Sequence, residues 1–248
     1  MILIDVHAHL DFPEFEKDIE QVVRNSEKTN VKVIICNGIN PKSNRDILSL
    51  SKKFDIIKPA LGFYPCECDL ISPEEFDEEL LFIKKNKPFA IGEVGLDKKH
   101  NNDFQKQIIC FEKFIKLSKK LNIPIIVHSR KAEIEAIEIL EKHKLAKVVM
   151  HCFSGKKKLL QRIINNKWYL SIPCNVVRSE QFQEAVKLCP LKQLLTETDA
   201  PFLSPNPKIS RNEPKYVIET IKKISEIKNM DAEEVANIIF MNYQNLFL

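Results

Sequence analysis

Two histidines at the end of an apolar segment are the first residues in this sequence that could carry chemistry. His7 and His9 follow the run MILIDV and lie two residues apart. Side chains alternate across a β-strand, so both imidazoles would project from the same face. Two imidazoles on one face can hold a metal ion, although a lone pair also fits hydrogen-bonded structural histidines. A metal site therefore requires further ligands from other parts of the chain.

Four other short apolar segments each lead into a carboxylate or an imidazole. These segments continue as GEVGLD, HSR, HCFSG and ETDAPFLSP. Each group alone has a structural interpretation, because carboxylates cap helices and histidines bond backbone carbonyls. Their common position after apolar segments favours a shared metal site instead. The predicted metal ligands are His7, His9, Glu93, His128, His151 and Asp199.

Six nitrogen and oxygen ligands exceed what one tetrahedral ion with an open position requires. The sequence therefore predicts two divalent ions with Glu93 between them. One ion would be held by His7, His9 and Asp199, and the other by His128 and His151. Such a pair would generate a bridging hydroxide as the nucleophile, with Asp199 as the proton acceptor. Zinc, manganese or magnesium could serve, although magnesium suits imidazole ligands least.

Short β-branched segments, which would position these groups, alternate along the chain with longer segments of helical period. Eight strands and intervening helices in 248 residues are typical of a (β/α)₈ TIM barrel, in the α/β class. An open doubly wound sheet is the alternative, but no GxGxxG or GxxxxGK[ST] loop follows a strand. One domain over residues 1–248 is expected. The predicted strands are residues 2–6, 31–36, 56–61, 89–91, 123–127, 147–150, 169–172 and 193–196.

Composition excludes several other classes of protein. No apolar run approaches the roughly 20 residues that span a bilayer, and no signal-peptide pattern opens the chain, so a cytoplasmic location is expected. Seven cysteines without a CxxC pair indicate reduced thiols, and the net charge of +4 is mild. A serine hydrolase is disfavoured because no GxSxG segment is present.

The ordered segments DVHAHLD, GEVGLD, HSR, HCFSG, ETDAPFLSP and RNEP resemble the motifs of the TatD family of metal-dependent deoxyribonucleases, within the amidohydrolase-type metallo-hydrolases. The resemblance implies a TIM barrel, one or two metal ions and hydrolysis of DNA phosphodiester bonds, commonly as an exonuclease. It also implies the same six metal ligands. One departure is visible: many members have a GxHP segment after the third strand, whereas this chain has GFYP, so that Tyr64 replaces a histidine expected to touch substrate.

Substrate contacts are predicted from loops that follow strands. Basic residues there could hold phosphates of a DNA strand and its unpaired end, although solvated lysines at helix starts would look similar. Arg130, Ser154 and Arg211 lie inside the motifs and, with Tyr64, form the predicted substrate-binding set. Aromatic stacking of unpaired bases is expected from Phe63, Tyr64 and Phe153, although Phe153 could equally pack in the barrel.

Two alternatives to a nuclease remain at this point. A related hydrolase could cleave an amide, a small ester or an aminoacyl ester. Cyclic-amide and phosphotriester hydrolases on related barrels often use a carboxylated lysine on the fourth strand, and Glu93 stands there in this chain. A metal-binding interaction protein without turnover is the other alternative, since a fold alone does not establish activity.

Overall fold

Eight parallel strands in chain order form the centre of the structure, a computed structural model that describes residues 1–100 and 103–248. The sheet nearly closes on itself, because Ala8 bridges Ala200 and the Thr196 hydroxyl donates to Ile4 O at 2.7 Å. The predicted (β/α)₈ barrel is confirmed. The strands are β1 (Leu3–Ala8), β2 (Val31–Asn37), β3 (Ile57–Leu61), β4 (Ala90–Asp97), β5 (Ile125–Arg130), β6 (Val148–His151), β7 (Tyr169–Ile172) and β8 (Leu194–Thr196).

Helices connect each strand to the next and cover the outside of the barrel. Two follow β3 and two follow β8 in the part of the chain that the structure describes. Short 3-10 helices occur at Pro13–Phe15, Cys174–Val177, Leu191–Gln193 and Pro214–Tyr216. The α-helices are α1 (Ile19–Lys28), α2 (Pro41–Lys53), α3 (Pro65–Cys68), α4 (Pro73–Asn86), α5 (Phe104–Leu121), α6 (Glu133–Lys142), α7 (Lys157–Asn165), α8 (Glu180–Leu188), α9 (Val217–Lys228) and α10 (Ala232–Phe247).

Side chains that accept hydrogen bonds from free backbone N–H groups start several of these helices. The Asn40 side chain accepts from Ser43 N before α2, and Ser72 and Glu75 form a reciprocal capping box before α4. The Asp231 carboxylate accepts from two backbone N–H groups at the start of α10. Each of these side chains bonds an N–H group no more than three residues away, so the caps are local features of the sequence.

The fourth strand is longer than the sequence predicts. The expected strand at residues 89–91 runs to Asp97, with Val94 opposite Val127 and Asp97 opposite Arg130 on β5. Glycine is depleted in strands, so the segment GEVGLD does not look like one. Glu93 consequently lies inside β4 instead of after it. The first and fifth strands are also longer, so that His7 and His128 lie inside β1 and β5.

The core lies within the barrel and between the barrel and its helices. Trp168 is buried and its indole Nε1 donates to Leu145 O at 2.7 Å. Phe114 on α5 meets the ring of Phe63 at 6.2 Å and that of Phe76 at 5.3 Å between centroids. All seven cysteines lie in the described ranges and are free thiols, as predicted.

No helix in residues 1–100 and 103–248 is long and apolar enough to cross a membrane. The cytoplasmic location and the single domain stay predictions.

Loss of an aromatic ring from this core should destabilise the barrel measurably. Phe114→Ala removes a ring that is 1% exposed, so we expect the free energy of unfolding to fall by about 3–5 kcal/mol. Ile109→Ala on the same helix is the matched control, because Ile109 is 49% exposed and should change stability by less than about 0.5 kcal/mol. Urea unfolding followed by circular dichroism measures both. Equal losses in the two variants would contradict the packing described for α5.

Candidate metal centre

The first strand delivers two imidazoles to one side of the barrel mouth. His7 and His9 are buried, and their Nε2 atoms lie 3.2 Å apart, as alternation along β1 predicts. Two residues earlier, the Asp5 carboxylate accepts from Thr198 N at 2.9 Å and from the Thr198 hydroxyl. Burial raises the pKa of Asp5 to about 8, although these hydrogen bonds oppose the shift. Asp5 thus ties β1 to the segment that carries Asp199.

Asp199 reaches the same point through an unusual backbone conformation. Its φ is +55°, in the left-handed region that aspartate tolerates better than most residues. Its backbone N–H donates to His7 O at 2.8 Å, and His9 N donates to Ala200 O at 2.8 Å. These bonds hold the segment after β8 against the end of β1 and turn the Asp199 carboxylate toward the two imidazoles.

The close approach of β4 and β5 places Glu93 beside His128. Gly95 has φ +143°, and a Cβ atom built there would lie 2.0 Å from His128 O. No side chain fits at this position, so the two strands pack more closely than a larger residue would allow. The result is a distance of 2.8 Å between Glu93 Oε1 and His128 Nδ1.

Ligand atoms of His7, His9 and Asp199 lie within 4.8 Å of one another, and Glu93 Oε2 lies close to both imidazoles. His7 Nε2 and His9 Nε2 each lie 3.5 Å from Glu93 Oε2 and 3.6 Å from Asp199 Oδ1. Ligands about 2.1 Å from a tetrahedral ion stand about 3.4 Å from one another. The observed spacing matches that value, and the donors are the imidazoles and carboxylates that divalent transition metals prefer. The residues present therefore fit a divalent metal ion.

The other oxygen of Glu93 faces a second group of imidazoles. Glu93 Oε1 lies 2.8 Å from His128 Nδ1 and 3.5 Å from His151 Nε2. The His7 ring stacks on the His151 ring at 3.7 Å between centroids, so His7 borders both groups. His7, Glu93 and His151 also offer ligand atoms within 4.8 Å of one another. The structure thus brings the four predicted histidines to the oxygens of Glu93, with Asp199 beside His7 and His9.

Three of the four imidazoles are oriented through their second ring nitrogen. His9 Nδ1 lies 2.9 Å from Asn37 O, His128 Nε2 lies 3.3 Å from Asp97 Oδ2, and His151 Nδ1 lies 3.1 Å from both Glu197 oxygens. Such partners fix the ring orientation and tautomer of a metal ligand. His7 Nδ1 has no hydrogen-bond partner among the described residues.

Asn37, Asp97 and Glu197 are not among the site residues predicted from the sequence. Two of them carried a signal in the sequence, because Asp97 ends the GEVGLD motif and Glu197 lies two residues before Asp199. Asn37 ends β2 and contributes no motif.

The charges of the site compensate one another. Burial acts to lower the pKa of His9, but the hydrogen bond with Asp199 and the Glu93 charge outweigh it and raise the value to about 9. Burial also acts to lower the pKa of His151, but the neighbouring Glu197 carboxylate raises it to about 10. Burial acts to raise the pKa of Glu93, yet His128 and His7 hold it well below its usual range. Metal ions would compete with these protons for the same nitrogen atoms.

The predicted substrate-binding residues fall into two groups. Tyr64, Arg130 and Ser154 line cavities at the site, and the Tyr64 hydroxyl donates to Asp97 Oδ2 at 2.7 Å. Arg211 is not brought to those cavities, because its guanidinium pairs with Asp18 at 2.7 Å and Glu213 at 2.9 Å. It joins the segment after β8 to the segment before α1.

The prediction that Phe63 and Phe153 stack on unpaired bases is wrong. Phe63 is 2% exposed and Phe153 is 4% exposed, so both pack in the core and cannot stack on a base. Sequence periodicity gave no way to separate these rings from exposed ones. Of the three predicted rings only that of Tyr64 lines the cavity, together with the rings of Phe12 and Phe202, which contact each other at 5.9 Å between centroids.

Two adjoining cavities open at the predicted metal ligands. The larger, which we call the apolar lobe, has a volume of about 410 Å³ and includes Phe12, Ile39, Tyr64 and Phe202. The smaller, the polar lobe, has a volume of about 260 Å³ and includes Ser129, Cys152, Ser154 and Phe182. Both lobes share His128, Arg130, His151, Asp199 and Leu203.

The sequence and the fold are similar to those of known metal-dependent hydrolases and deoxyribonucleases. The family model described as "TatD related DNase" matches residues 4–248. The chain is 35% identical to the uncharacterized metal-dependent hydrolase YabD of Bacillus subtilis over 99% of both chains. It is 31% identical to the deoxyribonuclease TATDN3 of Homo sapiens, over 99% of this chain and 94% of that protein. The crystal structure of YJJV, a TatD homolog from Escherichia coli, has a TM-score of 0.91 at 27% identity, covering 99% and 97% of the two chains.

The Glu197 carboxylate should strengthen metal binding through His151. Glu197→Gln keeps the shape of the side chain but removes the charge, so we expect metal affinity to fall about 10- to 100-fold. Titration against a competing chelator measures this change. Glu184→Gln is the matched control, because Glu184 is exposed and pairs with Lys157. The interpretation fails if both variants bind metal as tightly as the unsubstituted protein.

Proposed function

Because this chain belongs to the TatD related DNase family, we propose that it is a divalent-metal-dependent hydrolase that cleaves phosphodiester bonds of DNA from an unpaired end. One observation carries the proposal. The two oxygens of Glu93 face different histidine groups, His7 and His9 on one side and His128 and His151 on the other. A carboxylate in this position suits two cations, with zinc or manganese favoured by the imidazole donors.

Bound divalent ions would supply a water of lowered pKa and positive charge beside the phosphate oxygens. The chain's own residues supply the remaining functions. Asp199 borders both lobes of the cavity and its side chain is 15% exposed, so a water molecule can approach its carboxylate. Burial acts to raise the pKa of Asp199, but His9, His151 and His7 lower it. The carboxylate is therefore ionised at neutral pH and can accept the proton of the attacking water.

The residues that line the cavity indicate which groups would bind the substrate. Arg130 is exposed and borders both lobes, so its guanidinium can bind phosphate oxygens of the strand. Ser154 is exposed in the polar lobe and offers a hydroxyl to the same backbone. Tyr64 replaces the usual histidine but keeps a polar role, because its hydroxyl bonds Asp97, the partner of His128.

Substitution of the proton acceptor tests hydrolysis separately from metal binding. Asp199→Asn retains an oxygen ligand but cannot accept a proton, so kcat on single-stranded DNA should fall at least about 100-fold. Metal content, measured by elemental analysis, should largely survive. Excess EDTA should abolish the activity of the unsubstituted protein.

Asp77→Asn is the control, because Asp77 is exposed on α4 and pairs with Lys113. A panel of DNA, amide, small-ester and aminoacyl-ester substrates accompanies the assay. Faster turnover of another substrate without nucleotide release from DNA would contradict the nuclease and support the related hydrolase. Absence of turnover on the whole panel would support a binding protein.

The proposed division of ligands predicts different metal losses for different histidines. His9→Ala should lose mainly the ion shared with Asp199, whereas His151→Ala should lose mainly the other, each retaining about one ion per chain. Glu93→Ala should lose both. His143→Ala serves as the matched control, because His143 lies after α6 beside Glu112 and away from the site. Loss of both ions in each single histidine variant would contradict the division.

A further inference from the structure

We propose that Phe12 and Phe202 bind the terminal unpaired nucleobase of the substrate strand, a specificity site that rests on the proposed function. The two rings form one wall of the apolar lobe, beside the metal ligands. The scissile phosphate would lie at the ligands that both lobes share, with the terminal base on one side and the continuing backbone on the other.

The first observation is a row of rings that begins at a predicted metal ligand. The Phe12 ring stacks on the His9 ring, with centroids 4.9 Å apart and planes 25° apart. The Phe202 ring meets Phe12 edge to face at 5.9 Å and 78°. A planar base entering beside Phe202 would therefore meet an aromatic surface that the protein has already oriented. Every base has a π-face, so this surface binds bases without reading the sequence.

The second observation is the exposure of Phe202. Its side chain is 50% exposed, whereas Phe63 and Phe153 are almost fully buried. Phe202 directly follows Pro201 in the segment that carries Asp199, and its N–H donates to Asp199 O at 2.8 Å. The backbone therefore fixes a half-exposed apolar ring in the lining of the apolar lobe, close to the proposed proton acceptor.

The two lobes differ in size and chemistry, so each would bind a different part of the strand. The apolar lobe, at about 410 Å³, is near the lower end of ligand sites, roughly 300–1,000 Å³, and suits one nucleotide better than a base pair. Ile39 and Tyr64 line the side of this lobe that lies apart from the polar lobe. The polar lobe instead presents Ser129 and Ser154 next to Arg130, groups that suit sugar and phosphate. A single unpaired nucleotide would therefore be held at the strand end.

A comparison of two oligonucleotides tests this assignment. One is an ordinary single strand, and the other carries a base-free tetrahydrofuran residue at each end. The unsubstituted protein should have a KM for the ordinary strand about 5- to 140-fold below that for the base-free strand, from the usual strength of base stacking. In Phe202→Ala this ratio should fall close to one, and in Phe202→Tyr it should return. A ratio near one in the unsubstituted protein would overturn the proposal, as would a ratio that Phe202→Ala leaves intact.

A binding measurement keeps the test independent of turnover. A terminal 2-aminopurine loses fluorescence when it stacks on an aromatic ring, so its emission should fall on binding to the unsubstituted protein in EDTA. Phe202→Ala should remove most of this quenching. Leu81→Ala is the matched control, because Leu81 is 65% exposed on α4 and outside both lobes, and it should quench normally.

The two proposals can fail separately. Quenching that depends on Phe202 without DNA hydrolysis under any metal would overturn the nuclease and leave the base site standing. DNA hydrolysis without quenching, or quenching that survives Phe202→Ala, would overturn the base site and leave the nuclease standing.

Discussion

The Glu93 carboxylate, buried among four imidazoles, is the constraint on which the rest of this structure depends. Its oxygens lie 2.8–3.5 Å from the ring nitrogens of His7, His9, His128 and His151. A buried charge costs several kcal/mol unless positive partners surround it. In the absence of metal, protonated imidazoles such as those of His9 and His151 supply positive charge, and divalent ions would supply it more strongly. The site is therefore built around positive charge at its centre.

The barrel supplies this arrangement because parallel strands present their carboxyl ends at one mouth. The predicted ligands lie on β1, β4, β5 and β6, directly after β1 and in the segment after β8, so no single element could assemble them. Gly95 lets β4 approach β5, and the left-handed backbone of Asp199 turns its carboxylate inward. The same segment after β8 then carries Phe202 to the cavity entrance. The proposed proton acceptor and the proposed base-binding ring are thus fixed by the same short stretch of backbone.

Much of this was predictable from sequence, because strand alternation and the position of imidazoles and carboxylates after apolar segments are local patterns. The barrel, its strand order and the convergence of six ligands follow from them. The length of β4 did not follow, since glycine weakens the strand signal in GEVGLD. Burial of Phe63 and exposure of Phe202 depend on packing between elements distant in sequence. For the same reason Arg211, which lies in a motif, pairs with Asp18 instead of lining the cavity.

Anomalous X-ray diffraction from crystals grown with manganese or zinc tests the central claim most directly, because it locates each ion without reference to activity. We expect two peaks on opposite sides of the Glu93 carboxylate, one beside His9 and Asp199 and the other beside His128 and His151. Peaks at any other position, or full metal loading with no peak next to Glu93, would contradict it.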